Sequence, residues 1–324
     1  MINEESFQSE NVNDPAAKPR VALIAGPTAS GKSDLAVKIA LRAMAQGQEA
    51  VVINADSAQV YADLALLSAR PSAQEMQGVS HVLFGAWDGA QPCSAADWAN
   101  AARQEIATAL GRNALPILVG GTGLYIRTLL DGIAPVPEID PAVREGVRAL
   151  PVADAYAALQ AEDPDRAARL APADVQRITR ALEVVRSTGL PLAHWQQQLS
   201  GGIGDAIDLA PIILLPERQW LYRRCDLRFE MMWQNGALAE VEALLTRNLR
   251  DSAPVMRAIG VPEITAFLRG EIPAETAIAA GQQATRNYAK RQFTWLRHQN
   301  PVDWPRVEYE NSIDIEYAAS LLRI

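Results

Sequence analysis

Apolar residues follow two rhythms along this chain, and the change between them sets its organisation. In the first third, short unbroken apolar runs alternate with stretches whose apolar positions recur every three to four residues. Arg20–Gly26 (RVALIAG), Ala50–Asn54 (AVVIN) and Pro116–Gly120 (PILVG) read as strands buried on both faces, and His81–Gly85 as a further one. Lys32–Gly47 has helical spacing and ends on a glycine. Ser94–Leu110 is a second helix with Ser94 placed to cap it, and Gly121–Thr122 lead into a third. Strands alternating with helices predict a parallel sheet with helices on both faces. After Pro135 the rhythm changes. Residues 141–200 are rich in Ala, Arg and Leu, which predicts several helices. Pro211–Leu215 (PIILL) interrupts them as a strand returning to the sheet, and Arg218 to about Gln299 reads as helical.

Composition narrows this picture. With 324 residues, 49% hydrophobic and 21% charged, the chain has the make-up of a soluble globular protein with a large core. No run approaches the ~18 apolar residues of a membrane helix. The first residues carry Glu4, Glu5, Glu10 and Asp14 rather than a basic region and an apolar one, so they read as a disordered arm over 1–18, not a leader. Cys93 and Cys225 lie far apart and outside ligand spacing, against both a disulfide framework and a zinc site. A cytoplasmic address is the expectation. The net charge of −8 speaks against a nucleic-acid partner only until its distribution is considered. Residues 286–298 hold Arg286, Lys290, Arg291 and Arg297 with no acid and with Tyr288, Phe293 and Trp295 interleaved; residues 218–228 hold Arg218, Arg223, Arg224 and Arg228 against Asp226. Such runs are solvated helix faces or a phosphate-binding footprint.

The sharpest chemical signal is GPTASGKS: Gly26, Pro27, Thr28, Ala29, Ser30, Gly31, Lys32 and Ser33. It matches the phosphate-loop pattern and sits between a strand and a helix, the context that pattern requires. Its backbone N–H groups can curl around phosphate oxygens, with the helix N-terminus adding partial positive charge. Lys32 can pair with the terminal phosphate, and the Ser33 hydroxyl can ligate a Mg²⁺ that bridges two phosphates. The loop specifies a polyphosphate without specifying which. INADSAQVY (53–61) puts Asp56 at the C-terminal end of a strand, in the crevice where open α/β sheets bind ligands. There it is placed for metal or proton work, or serves as a turn cap. VGGTGLY (119–125) is a second glycine-rich junction, weak taken alone. The expected fold is α/β: a P-loop NTPase-like parallel sheet core over 19–140 and 205–324, with 141–204 inserted as a mainly helical domain.

From about Val21 to about Arg297 the chain resembles the bacterial tRNA dimethylallyltransferase family, also called tRNA isopentenyltransferase. The motifs are GPTASGKS (26–33), DSAQVY (56–61), CSAADW (93–98), PILVGGTGLYIRTLLDGI (116–133), DVQRITRALEV (174–184), RRCDLRFEMM (223–232), MRAIG (256–260) and TRNYAKRQFTWLR (285–297), in the family's order. The resemblance implies that the phosphate loop holds dimethylallyl diphosphate with Mg²⁺, on Ser33 and also Asp56. It makes Asp56 the general base on N6 of adenosine 37, and Thr28 and Arg228 the residues that steady the diphosphate leaving group. It implies tRNA contacts at Asp56, Ser57, Ala58 and Gln59, at Thr122, at Gln176, Arg177, Ile178, Thr179 and Arg180, and at Met256, Arg257, Ala258, Ile259 and Gly260. The helical insertion would grip the anticodon stem-loop, and the protein would work as a monomer without a membrane.

The chain departs from the family at Leu66–Pro71 (LLSARP for IGTAKP), at Ser80–His81 (for Pro-His-His) and at Val261–Pro262 (for Tyr-Lys). None of these touches the phosphate loop, Asp56 or Arg228. Three other readings stay open on sequence: an adenylate isopentenyltransferase acting on free nucleotide, a small-molecule P-loop kinase, and a non-catalytic RNA-binding protein.

Overall fold

The computed structural model describes residues 18–324, so the acidic arm expected over 1–18 lies, but for Lys18, outside the described residues. In chain order the elements are β1 (Arg20–Ala25), α1 (Lys32–Ala45), β2 (Ala50–Asn54), α2 (Ala73–Met76), β3 (Ser80–Val82), α3 (Ala95–Gly111), β4 (Leu115–Gly120) and α4 (Gly123–Asp131). There follow α5 (Pro141–Ala149), α6 (Val152–Glu162), α7 (Pro164–Ala167), α8 (Val175–Thr188), α9 (Leu192–Gln196), β5 (Asp208–Pro216), α10 (Arg218–Gln234) and α11 (Ala237–Thr246). The chain finishes with α12 (Val261–Leu268), α13 (Ala274–His298), β6 (Arg306–Tyr309) and α14 (Ile315–Leu322).

Among the described residues six strands form one sheet in the order β3-β2-β4-β1-β5-β6, and every pairing is parallel. The central strands are continuous apolar runs because a parallel sheet is covered on both faces. β2 and β4 are buried along their whole length. On one face, Leu35, Ala36, Ile39, Ala40 and Ala43 of α1 and Ala318, Ala319 and Leu322 of α14 share a core with Ala22, Ile24, Val52, Ile117 and Ile212 of the strands. β5 returns to the sheet as expected, with Ile212 opposite Ile24 of β1.

Two sequence expectations needed correction. The strand expected over His81–Gly85 is Ser80–Val82, because Leu83 (φ 63°) and Gly85 (φ 61°) adopt left-handed conformations that end the extended ladder. Beyond Gln299, where the pattern predicts no element, β6 adds a strand beside β5, with Ile213 opposite Arg306, and α14 follows it. A four-residue strand offers too little alternation to register as a pattern. Among the described residues, no helix is long and apolar enough to cross a membrane.

The chain packs as two compact units. Among the described residues, one comprises 18–94, Ala101–Gly123 and Gly204–Ile324; the other comprises Ala95–Asn100 and Leu124–Ile203. In the second unit, α5 and α7 open on prolines, which are tolerated at a helix start because no intrahelical N–H is lost. Asp140, Asp163 and Asp174 cap α5, α7 and α8 by accepting backbone N–H groups, and Gly189 ends α8 at φ 72°. Val147, Leu159, Leu170, Ile178 and Leu182 form the core of these helices.

Candidate active site at the carboxyl edge of the sheet

Three neighbouring parallel strands, β2, β4 and β1, deliver their C-terminal ends to one edge, the position at which open α/β sheets bind ligands. β1 runs into the phosphate loop, whose start is tied to the next strand by Gly26 N–H donating to the Gly120 carbonyl at 3.1 Å. The loop needs its glycines. A Cβ on Gly26 would stand 2.6 Å from Ser30 Oγ, and Gly31 sits at φ 84° where it caps α1. Ala29 also adopts positive φ, at 63°. Lys32, only 6% exposed, lies at the first turn of α1 with Nζ 3.3 Å from the Pro27 carbonyl and 3.8 Å from Asp56 Oδ2. Burial pushes its pKa below the ordinary lysine value; Asp56 opposes that shift and Arg228 adds to it.

β2 delivers Asp56, which is 4% exposed. Asn54 shapes this turn: its Oδ1 accepts from Asp56 N–H at 2.9 Å, while its Nδ2 donates to the Asp56 and Leu83 carbonyls at 3.1 Å each. Asp56 Oδ1 accepts from Ala58 N–H at 3.1 Å, leaving Oδ2 to face Lys32. The turn cap and the carboxylate that faces Lys32 are therefore the same side chain, with one oxygen in each contact.

β4 delivers Thr122. Its Oγ1 accepts from Ser57 N–H at 2.9 Å and donates to Ser57 Oγ at 3.1 Å. The hydroxyl of Tyr288 on α13 joins the same pair, and its pKa is raised by burial and by the nearby Asp56 charge. α10 brings two arginines to the phosphate loop. Arg228 donates to Thr28 Oγ1, and Arg224 Nε donates to the Ala29 carbonyl at 2.9 Å while its guanidinium lies 4.7 Å from the Trp220 ring. Burial lowers the Arg228 pKa, against the pull of Cys225 and Asp56 and with Arg224 adding to it. Tyr309, on the unforeseen β6, donates its hydroxyl to the Ser30 carbonyl.

An ion pair thus joins Lys32 to Asp56, hydrogen bonds join Thr122 to Ser57, and another joins Arg228 of α10 to Thr28, all at the carboxyl edge of the sheet. Gln59 is buried, and its Nε2 donates to the carbonyls of Ser68 (3.0 Å) and Ala69 (2.7 Å), bracing the loop 65–70. That loop, where the sequence departs from the family pattern, is also held by Glu240, whose carboxylate accepts the N–H groups of Ala65, Leu66 and Leu67 at 2.6–2.8 Å. Met256 and Arg257 lie in a 3-10 turn, Pro254–Arg257, and Gly260 at φ 96° precedes α12. In the helical unit, Gln176, Arg177 and Arg180 are exposed on α8, whereas Ile178 is wholly buried and Thr179 donates back to the Val175 carbonyl at 2.7 Å. Much of the basic run in α10 and α13 is engaged within the fold: Arg286 pairs with Asp226, Arg291 lies 5.7 Å from the Tyr288 ring, and Arg297 pairs with Glu308 at 3.4 Å.

Asn54, Tyr309 and Gln292 carry no site signal of their own in the sequence, and Arg224 and Tyr288 stand there only within basic runs. Gln292 Oε1 accepts the Thr28 N–H at 2.7 Å. The spacing of Tyr288, Gln292 and Trp295, four and three residues apart, was the available signal that one helix face serves one site. Among the described residues no group of three or more His, Cys, Asp or Glu could hold a metal. The hydroxyl of Ser33 and the carboxylate of Asp56 are hard oxygen donors, which suit a magnesium ion that takes most of its ligands from phosphates and water.

The family model for IPP transferase matches residues 59–299, and that for isopentenyl transferase matches residues 19–97. The tRNA dimethylallyltransferase of Novosphingobium aromaticivorans is 76% identical over 281 residues, covering 87% of this chain and 100% of the relative. That of Erythrobacter litoralis is 66% identical, covering 91% and 93%. Among solved structures, the full-length tRNA isopentenylpyrophosphate transferase of Bacillus halodurans superposes with a TM-score of 0.66 at 31% identity, covering 94% of this chain and 97% of that one. A eukaryotic dimethylallyltransferase acting on tRNA superposes with a TM-score of 0.74 at 25% identity, covering 90% and 74%.

Proposed function

This chain belongs to the IPP transferase family, the tRNA dimethylallyltransferases, and we propose on that footing that it moves a dimethylallyl group from dimethylallyl diphosphate to N6 of adenosine 37 in tRNAs reading codons that begin with U. The observation that carries the reading is the meeting of a buried lysine and a threonine after β1, a carboxylate after β2 and an arginine from α10 at one edge of the sheet. The phosphate loop, Gly26 to Ser33, receives the diphosphate. As the N6 lone pair attacks C1 of the prenyl group, the C1–oxygen bond breaks and both electrons stay with the diphosphate. Lys32, Arg228 and Thr28 are aimed at the charge that develops there, and in a buried site they act with little reorganisation. Asp56 Oδ2 takes the proton that N6 sheds. Ser33 and Asp56 would hold Mg²⁺ against the diphosphate, where it neutralises the leaving group's charge.

An anticodon loop is the cheap place to present an adenine, since its bases unstack at low cost. Asp56 and Ser57, with Thr122 and Met256–Gly260, contact the tRNA, and Ala58 and Gln59 serve that contact by shaping the loop behind it. The helical domain over 141–204, which but for Gly204 lies in the compact unit that also takes in residues from Leu124, grips the stem-loop through Gln176, Arg177 and Arg180; Ile178 and Thr179 act there by holding the helix. Phosphate contacts of this kind position the nucleic acid, while base edges specify it. The protein works as a cytoplasmic monomer.

The test is a transfer assay with purified protein, Mg²⁺, labelled dimethylallyl diphosphate, and either tRNA carrying adenosine 37 or free AMP. Label in the tRNA that disappears when adenosine 37 is replaced supports the reading. Label on AMP alone reassigns the acceptor to free nucleotide.

A further inference from the structure

One face of α13 touches all three strand-end loops. Tyr288 reaches Thr122 and Ser57, and Gln292 reaches Thr28. The Trp295 ring lies 2.4 Å from where a Cβ on Gly123 would stand. Of the three, Gln292 is the most constrained. It is 6% exposed, its Oε1 accepts the Thr28 N–H at 2.7 Å, and its Nε2 has no hydrogen-bond partner. The amide cannot be turned over, because the Thr28 N–H requires an oxygen opposite it. A buried donor without a partner is unfavourable, so the grip on Thr28 is what holds the side chain in this pose. Gly121 makes the seat: a Cβ there would stand 2.4 Å from Nε2 and 2.5 Å from the Gly26 carbonyl oxygen.

We infer that Gln292 is a positioning residue for prenyl transfer, acting through Thr28. The inference rests on the phosphate loop being the diphosphate site. Gln292 takes the Thr28 main-chain N–H, and Arg228 donates to the same residue's hydroxyl, so Thr28 is held from α13 and from α10 at once. A leaving diphosphate gains charge as the carbon–oxygen bond breaks, and donors stabilise that charge best when already in place. Releasing Thr28 therefore slows the chemical step more than it weakens binding.

The test compares Gln292→Met, which removes the acceptor, with Gln292→Glu, which keeps an oxygen opposite Thr28 N–H. For Q292M, kcat falls about ten- to a hundredfold. The KM for dimethylallyl diphosphate and the Kd for tRNA stay within about twofold of wild type, since only transition-state contacts are lost. Q292E recovers at least about a fifth of the wild-type kcat, as expected when the hydrogen bond to Thr28 is kept, and its added charge raises KM. Wild-type kcat in Q292M, or a Q292E no better than Q292M, overturns the inference. Amide hydrogen exchange of the unsubstituted protein needs no variant: slow exchange at Thr28 supports the grip, and exchange at the rate of an exposed loop amide overturns it. If the wild-type protein transfers no prenyl group, the assigned reaction fails, and Thr28 exchange still decides whether Gln292 holds the loop.

Discussion

The phosphate loop and helix α8 both present basic side chains, but in opposite physical settings. Lys32 is 6% exposed and faces a carbonyl and the Asp56 carboxylate; Arg228 is half-buried against Thr28. Arg177 and Arg180 are exposed, and each faces an acid three residues away, Arg177–Asp174 at 3.2 Å and Arg180–Glu183 at 3.9 Å. Burying a cation costs desolvation, which is why burial depresses the pKa of Lys32 and Arg228. In return the charge stands fixed in a medium of low dielectric, where a developing anion feels it strongly. An exposed arginine paired along its own helix costs little and stabilises little, and it can change partners when a polyanion arrives. On the proposed function, the buried region serves the transition state and the exposed one serves docking.

The comparison predicts a graded set of effects. Lys32→Met should lower kcat/KM for prenyl transfer about a hundred- to a thousandfold, with tRNA affinity near wild type in a filter-binding measurement. A parallel loss of tRNA binding would erase the distinction. Asp56→Asn keeps an oxygen for the Ala58 N–H but loses the base, and kcat should fall about a hundredfold. Wild-type turnover would leave Asp56 as a turn cap only. Arg177→Ala with Arg180→Ala should weaken tRNA binding about tenfold and flatten its salt dependence by roughly one unit per lost phosphate contact. The KM for dimethylallyl diphosphate should not move.

The smallest effect is one of pH. The lowered pKa of Lys32 means that it loses its proton at a lower pH than an ordinary lysine. Pyrophosphate affinity should be full below that pKa and decline as pH rises through it, in a window starting below 10.5. An affinity flat to pH 10.5, measured by calorimetry, would show that the ammonium does not bind the anion. Folding stability runs the other way, because the protonated lysine is the costly form in the folded state. Its contribution improves between the lowered pKa and the unfolded value.

Much of this architecture was legible in the residues. RVALIAG, AVVIN and PIILL are unbroken apolar runs of strand length, and GPTASGKS between a strand and a helix leaves few alternatives. Asp56 could be placed at a strand end because AVVIN ends two residues before it. Other site residues could not be read in this way. Tyr309 sits on a strand of four residues, and Gln292 is an ordinary polar residue in a basic helix. Each matters through a main-chain group far off in sequence, Ser30 carbonyl in one case and Thr28 N–H in the other. Ile178 shows the reverse: a motif position that resembles a contact turns out to be helix core.

By itself, the sequence determined the central strands, most of the helices, the phosphate loop and the chemical types available, because these follow from local periodicity and from glycines that backbone geometry demands. Only the tertiary structure decided that Arg228 meets Thr28, that Asp56 shares itself between Ala58 and Lys32, and that Gln292 enters through the gap at Gly121. Those choices depend on which strand lies beside which and how closely a helix approaches, and packing sets both between residues that the chain holds far apart.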